Sequence, residues 1–95
     1  MGQVAPRVHT DDEEIRRLEA LAASLPDEAI VAVSLDDGGR VAGTVPTRPI
    51  VQVFLDADGN EGINAMLRID DHADPAHAHY LWLDQVVGVE RLGTS

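Results

Sequence analysis

The stretch Val33-Ser34-Leu35-Asp36-Asp37-Gly38-Gly39-Arg40-Val41-Ala42-Gly43-Thr44-Val45 constrains the fold more than any other part of the chain. Two short β-type runs flank Asp36-Asp37-Gly38-Gly39, which supplies the positive-φ residues of a hairpin turn. A hairpin needs only that turn. The further glycine inside the second strand, Gly43, marks a strand that bends sharply, as a small closed barrel requires.

The residues before the hairpin read as one helix. Thr10-Asp11-Asp12-Glu13 has the pattern of a capping box, with Thr10 accepting from the Glu13 amide and Glu13 reaching back. Asp11, Asp12, Glu13 and Glu14 place negative charge at the positive end of the helix dipole. Ile15, Leu18, Ala22 and Leu25 recur at helical spacing with Leu21 beside them, and Pro26 stops the run, so the helix is expected over about 11–25. Its acidic first turn reads as a solvated helix start.

From Ala29 the period changes to two. Val31, Val33 and Leu35 face one way, Ile30, Ala32 and Ser34 the other, and both sides are largely apolar, so this strand is expected to be covered on both faces. Pro46-Thr47-Arg48-Pro49 breaks the ladder after Val45. Ile50 to Leu55 reads as a third strand and Ile63 to Asp70 as a fourth. His79 to Leu83 and Val86 to Leu92 read as the last two, hinged at Asp84-Gln85. One helix followed by short strands and tight turns predicts a mainly β fold: a strongly bent antiparallel small barrel of five to six strands. Residues 1–9 are expected as a flexible arm, 10–92 as a single domain with its barrel over 29–92, and 93–95 as a free tail.

Composition bounds the chemistry. At 95 residues and 44% hydrophobic, the chain has enough apolar material for one modest core, built mainly from aliphatic side chains because Phe54, Tyr80 and Trp82 are its three aromatics. No cysteine is present, which removes disulfides, thiolate metal sites and a Cys nucleophile. No apolar run approaches membrane-spanning length, and a cytoplasmic protein is expected. Seventeen acids against seven bases, all arginine, give a net charge of −10. That average field repels RNA unless arginines cluster on one face.

The hairpin resembles the first motif of Sm-like proteins, the Sm, LSm and Hfq type. Leu35-Asp36-Asp37-Gly38, with Gly43-Thr44-Val45 beginning five residues beyond Gly38, is similar to the leucine, acidic-glycine turn and bend glycine of their strands one and two. Leu81-Trp82-Leu83-Asp84-Gln85-Val86-Val87-Gly88-Val89 is similar in rhythm to their second motif, where strand four turns abruptly into strand five. The resemblance covers the chain from about Leu18 onward and extends to an uncharacterised family of small bacterial proteins described as variant Sm-like. It implies a small β-barrel that assembles as a homo-oligomer, dimer or ring, by pairing strand four of one copy with strand five of the next. The edge residues would be Tyr80, Leu81, Trp82, Leu83, Val86 and Val87, which carry more apolar surface than one buried face needs. Either the helix or another subunit covers that surplus.

The departures from the family bear on function. Its uridine pocket uses an Asp and an Asn after strand two and a later Arg. Those positions fall here near Pro49, Val53 and Trp82-Leu83, so the uridine-reading side chains are absent. The segment 63–78 is longer than a minimal Sm loop and reads as an inserted strand plus loop. The fold therefore implies no function by itself.

Three groups of residues remain as candidates. Arg40, Arg48 and Arg68 are the candidate basic residues of the barrel region, and with Phe54, Tyr80 or Trp82 as stacking partners they suit phosphate and single-stranded bases. Pairing with nearby carboxylates is the competing role. His72, His77 and His79, in an Asp-rich loop, carry ligand-type nitrogens for zinc or nickel, although solvated loop histidines are the commoner case. Asp56-Ala57-Asp58-Gly59-Asn60 begins like a calcium loop, but Glu61 and Leu67 stand where the required Gly and Glu belong. Ser24, Ser34 and Ser95 lack any nucleophile-elbow context, so no catalytic residue and no cofactor are expected. The reading is a non-enzymatic small-barrel module acting by oligomerisation and binding, RNA included. A protein-interaction module that binds no nucleic acid is the alternative.

Overall fold

A computed structural model describes residues 3–94 of the chain. Met1, Gly2 and Ser95, the outermost parts of the expected arm and tail, lie outside the described residues. In chain order the elements are β1 (Gln3–Val4), α1 (Asp12–Ala23), β2 (Ala29–Leu35), β3 (Arg40–Thr44), β4 (Gln52–Leu55), β5 (Glu61–Asn64), β6 (Met66–Asp71), β7 (Ala78–Trp82), a 3-10 turn (Leu83–Gln85) and β8 (Val86–Thr94).

The expected mainly β architecture with one N-terminal helix is observed. Its strands form two sheets rather than one closed barrel. The larger has the order β7-β6-β3-β2-β8, the smaller β1-β4-β5. Eight strands thus replace the expected five to six among the described residues, and the β1–β4 pair is parallel in an otherwise antiparallel set. The strand following the hairpin in the larger sheet is β6, paired to β3, and the segment containing Ile50 to Leu55 leaves for the second sheet.

The hairpin forms as its sequence predicts. Leu35 N–H donates to Gly39 O at 2.8 Å, the Asp37 carboxylate takes the Gly39 amide at 2.8 Å, and Gly38 sits at φ 89. Bending of the sheet has a source that the sequence does not announce. The β2–β8 register skips Leu92 between Ile30 and Val31 and skips Val87 between Ser34 and Leu35, so β8 carries two bulges. An extra residue on one strand of a pair bends it and increases its twist. Both skipped residues are exposed, in keeping with their place outside the regular alternation.

Helix α1 starts one residue later than the sequence pattern suggests. Asp11, not Thr10, is the N-cap: its carboxylate accepts the Glu14 amide at 3.3 Å and its carbonyl accepts from Ile15. Asp11 has the extended backbone an N-cap requires, φ −76 and ψ 129, and its carboxylate reaches the amide three residues on. At the far end Ser24 donates to the Leu21 carbonyl at 2.7 Å, and Pro26 follows. Leu18 and Ala22 of the helix, with Leu25 just beyond it, enter the core with Val31, Val33, Leu67, Ile69, Leu83 and Val86, so of the apolar surplus Leu83 and Val86 are covered within the chain. At about 25 cal/mol per Å² of apolar area, each fully buried Leu contributes roughly 1.5–3 kcal/mol relative to exposure.

The predicted fourth strand is two strands. Ala65 separates β5 from β6 and passes the chain between sheets: its amide is taken by the Asn64 side chain at 2.8 Å, and its carbonyl accepts the Leu83 amide at 2.8 Å. The alternation read from the sequence persists through the break, with Ala65, Leu67 and Ile69 buried. Two segments expected to be free are paired. Residues 3–9 run along the second sheet, where His9 and Ile63 exchange both backbone hydrogen bonds, and Gly93 and Thr94 continue β8 opposite Ile30 and Ala29. Among the described residues no helix is long and apolar enough to cross a membrane.

Candidate functional site

A groove of about 230 Å³ opens between the loop after β3 and the outer strands of the larger sheet, lined by Thr47, Arg48, Pro49, Ile50, Gln52, Met66, Arg68 and Tyr80. Strand alternation builds its floor. Leu67 and Ile69 point into the core, so Met66 and Arg68 must point out, and the register sets Arg68 directly opposite Tyr80 on β7. The Arg68 guanidinium carbon stands 6.0 Å from the Tyr80 ring centre, at the outer limit of a cation–π contact, and Arg68 Nε donates to Asp70 Oδ1 at 3.0 Å. On the opposite wall the two prolines hold the loop extended, and the Asp27 carboxylate fixes it by accepting the Arg48 amide at 2.6 Å. The Arg48 guanidinium has no carboxylate partner among the described residues. Ile50 and Tyr80 remain 64% and 63% exposed, unusual for side chains of their size.

Of the three arginines singled out in the sequence, the groove brings together Arg48 and Arg68. Arg40 stands apart, paired with Glu90 at 2.9 Å. The aromatics divide similarly. Phe54 is buried and packs edge-to-face against the half-buried Trp82 at 5.2 Å, leaving Tyr80 as the aromatic face in the groove. The expected oligomer edge is also redistributed. Leu83 and Val86 belong to the core, Leu81 and Trp82 are half-buried, and Tyr80 and Val87 are exposed. The strands that carry them, β7 and β8, are the two ends of the larger sheet.

The histidine loop is organised by hydrogen bonding. The ring of His79 donates from Nε2 to Asp71 Oδ1 at 2.9 Å, while Asp71 Oδ2 accepts the Ala73 and Asp74 amides at 3.0 Å each. The His79 hydrogen bond, aided by those amides, holds the Asp71 carboxyl below its usual range. His77 lies edge-on to His79 with ring centres 4.6 Å apart, whereas His72 takes no part in this contact. No group of three or more His, Asp or Glu side chains among the described residues is arranged to hold a metal ion. In the other acidic loop Asp56 accepts the Asn60 and Asp58 amides and the Asn60 side chain, which lower its pKa, so its oxygens are engaged by the loop itself.

One polar centre escapes sequence reasoning. Asp84, in the 3-10 turn, has a side chain only 3% exposed; Oδ2 accepts from His9 Nε2 at 3.0 Å and lies 3.5 Å from Arg7 Nε. Arg17 on α1 donates to the carbonyls of Asp84 and Val86 at 2.9 and 2.7 Å and makes a fork to Glu14. The Glu14 hydrogen bond raises the Arg17 pKa, and the same contact lowers that of Glu14. This centre ties arm, helix and hinge together. Its partners are far apart in sequence, and the one local sign was an acid inside an apolar stretch.

The chain as a whole is similar to known proteins. A family model described as a domain of unknown function (DUF3247) matches residues 2–92. The crystal structure of XC5848 from Xanthomonas campestris, described as adopting a novel variant of the Sm-like motif, is similar with a TM-score of 0.87. It is 38% identical, with 95% of this chain and 97% of that chain covered. No curated protein matches the sequence.

Proposed function

We propose, for a chain that belongs to the DUF3247 family of domains of unknown function, that it is a non-enzymatic binding module whose groove grips single-stranded RNA. One observation carries the reading. In a chain with seventeen acids and a net charge of −10, the described residues lining the groove include Arg48, Arg68 and an exposed Tyr80 and no acid, while the Asp27 and Asp70 carboxylates hold the Arg48 amide and the Arg68 side chain. Arginine forks suit phosphate oxygens, and an exposed ring beside them offers a stacking face that tolerates any base. The uridine-reading side chains of Sm proteins are absent, so binding is expected to be weak in sequence preference and strongly salt-dependent. Fluorescence anisotropy of a labelled RNA oligonucleotide at low salt tests it: wild type binds, Arg48→Ala weakens binding, and no binding by wild type refutes the proposal.

Self-association accompanies this reading. The outer sides of β7 and β8 carry no strand partner among the described residues, and an open edge is a template for pairing with a second copy. A homo-oligomer follows, to be measured by light scattering at high micromolar concentration; a strictly monomeric mass contradicts it. If RNA fails to bind while an oligomer forms, the protein-interaction reading takes its place.

A further inference from the structure

On the face of β7 opposite Tyr80, the strand alternation places His79 beside His77, the residue that leads into the strand. We propose that His77 and His79 form a two-imidazole chelate for a borderline divalent transition-metal ion, Cu²⁺ ahead of Ni²⁺ and Zn²⁺, with water in the remaining coordination positions.

Four observations support it. The two rings are already 4.6 Å apart, so one ion can reach a nitrogen of each with only side-chain rotation. The Asp71 carboxylate only accepts, so Nε2 carries the proton given to it, and in the neutral ring that tautomer leaves the Nδ1 lone pair for a metal ion. Metal-binding histidines are held this way, the second ring nitrogen donating to a carboxylate that fixes ring orientation and raises ligand basicity. The backbone is prepared as well. His77 N–H donates to Asp74 O and its carbonyl accepts the Asp71 amide, both at 2.9 Å, so little main-chain order remains to be gained on binding. Finally, the His77 ring has no hydrogen-bond partner among the described residues.

Imidazole selects borderline ions over calcium or magnesium, and copper heads the affinity order among them. Asp70, Asp71 and Asp74 surround the pair in sequence, and the −10 charge draws cations to the surface. The chelate uses no residue of the groove and stands independently of RNA binding.

Calorimetric titration of the full, tag-free chain with Cu²⁺ and with Zn²⁺ tests the site. One equivalent of Cu²⁺ should bind, more tightly than Zn²⁺. His77→Ala and His79→Ala should each weaken it by roughly tenfold or more, and Asp71→Ala should weaken it about tenfold by removing the acceptor that orients the His79 ring. His72→Ala should bind as wild type does. Circular dichroism of each variant checks folding, and Cu²⁺ should broaden the ring proton NMR signals of His77 and His79 while sparing His72. Absence of a stoichiometric site, equal losses on replacing His72 and His79, or copper binding indifferent to both His77 and His79 (an adventitious ion only) would overturn the proposal.

Discussion

A methyl group on Gly43 would overlap the main-chain carbonyl oxygen of Asp70 outright and stand 2.9 Å from Ile69 Cγ2. Strand β3 meets β6 through two register pairs, Gly43 with Asp71 and Thr44 with Asp70, so there is little ladder to absorb a shift. The glycine serves close backbone approach, and its φ is not in the left-handed region.

Gly43→Ala is therefore expected to destabilise the fold by at least the ~1–3 kcal/mol typical of overpacking. Thermal denaturation should show a melting midpoint lower by roughly 5 °C or more. An unchanged midpoint would mean that β3 and β6 separate without cost.

Leu18 is wholly buried and lies where α1 meets the sheet. Leu18→Ala should cost about 2–5 kcal/mol, read as a lower urea midpoint at unchanged slope. A loss well under 1 kcal/mol would show that the helix is not part of the cooperative core.

Asp84→Asn keeps the side-chain shape and removes the charge that holds His9 and Arg7. The arm should loosen locally: the His9 and Ile63 amides, bonded to each other's carbonyls, should exchange with solvent faster than in wild type, while core amides such as Val33 keep their wild-type rates. Uniform acceleration everywhere would point to global destabilisation.

Acid should weaken the fold partly through Glu14. Its carboxyl is held below its ordinary value of 4.5 first by the hydrogen bond from Arg17. A depressed folded-state pKa contributes stability that is fully present above 4.5 and lost as pH falls through the lower folded value. Glu14→Gln should flatten that part of the acid limb in denaturation curves taken across pH; an identical limb would remove Glu14 from the account. Solvent screening keeps the effect small, since the side chain is partly exposed.

Local signals were legible in the sequence, and long-range ones were not. The Asp36–Gly39 turn, the helix stripe and the alternation of Ala65, Leu67 and Ile69 follow from period and turn chemistry, and all three stand in the structure. The hairpin's resemblance carried the Sm-like fold. The β8 bulges, the switch of sheets at Ala65 and the Asp84 centre depend on partners tens of residues away, for which spacing gives no sign. Of the candidate site, Arg48, Arg68 and Tyr80 were readable as chemistry. Their convergence, and the diversion of Arg40 to Glu90, required the pairing of β6 with β7 and the fixed loop after β3.

RNA binding through the groove is tested most directly by the salt dependence of oligonucleotide affinity in wild type and in the Arg48→Ala/Arg68→Ala double variant. Two phosphate contacts on a single strand predict that the logarithm of affinity falls with the logarithm of salt at a slope of about −1.4. The double variant should lose measurable binding at low salt while retaining the wild-type melting temperature, and Arg40→Ala should behave as wild type. No binding by wild type at low salt, or an affinity and slope unchanged in the double variant, would contradict the account.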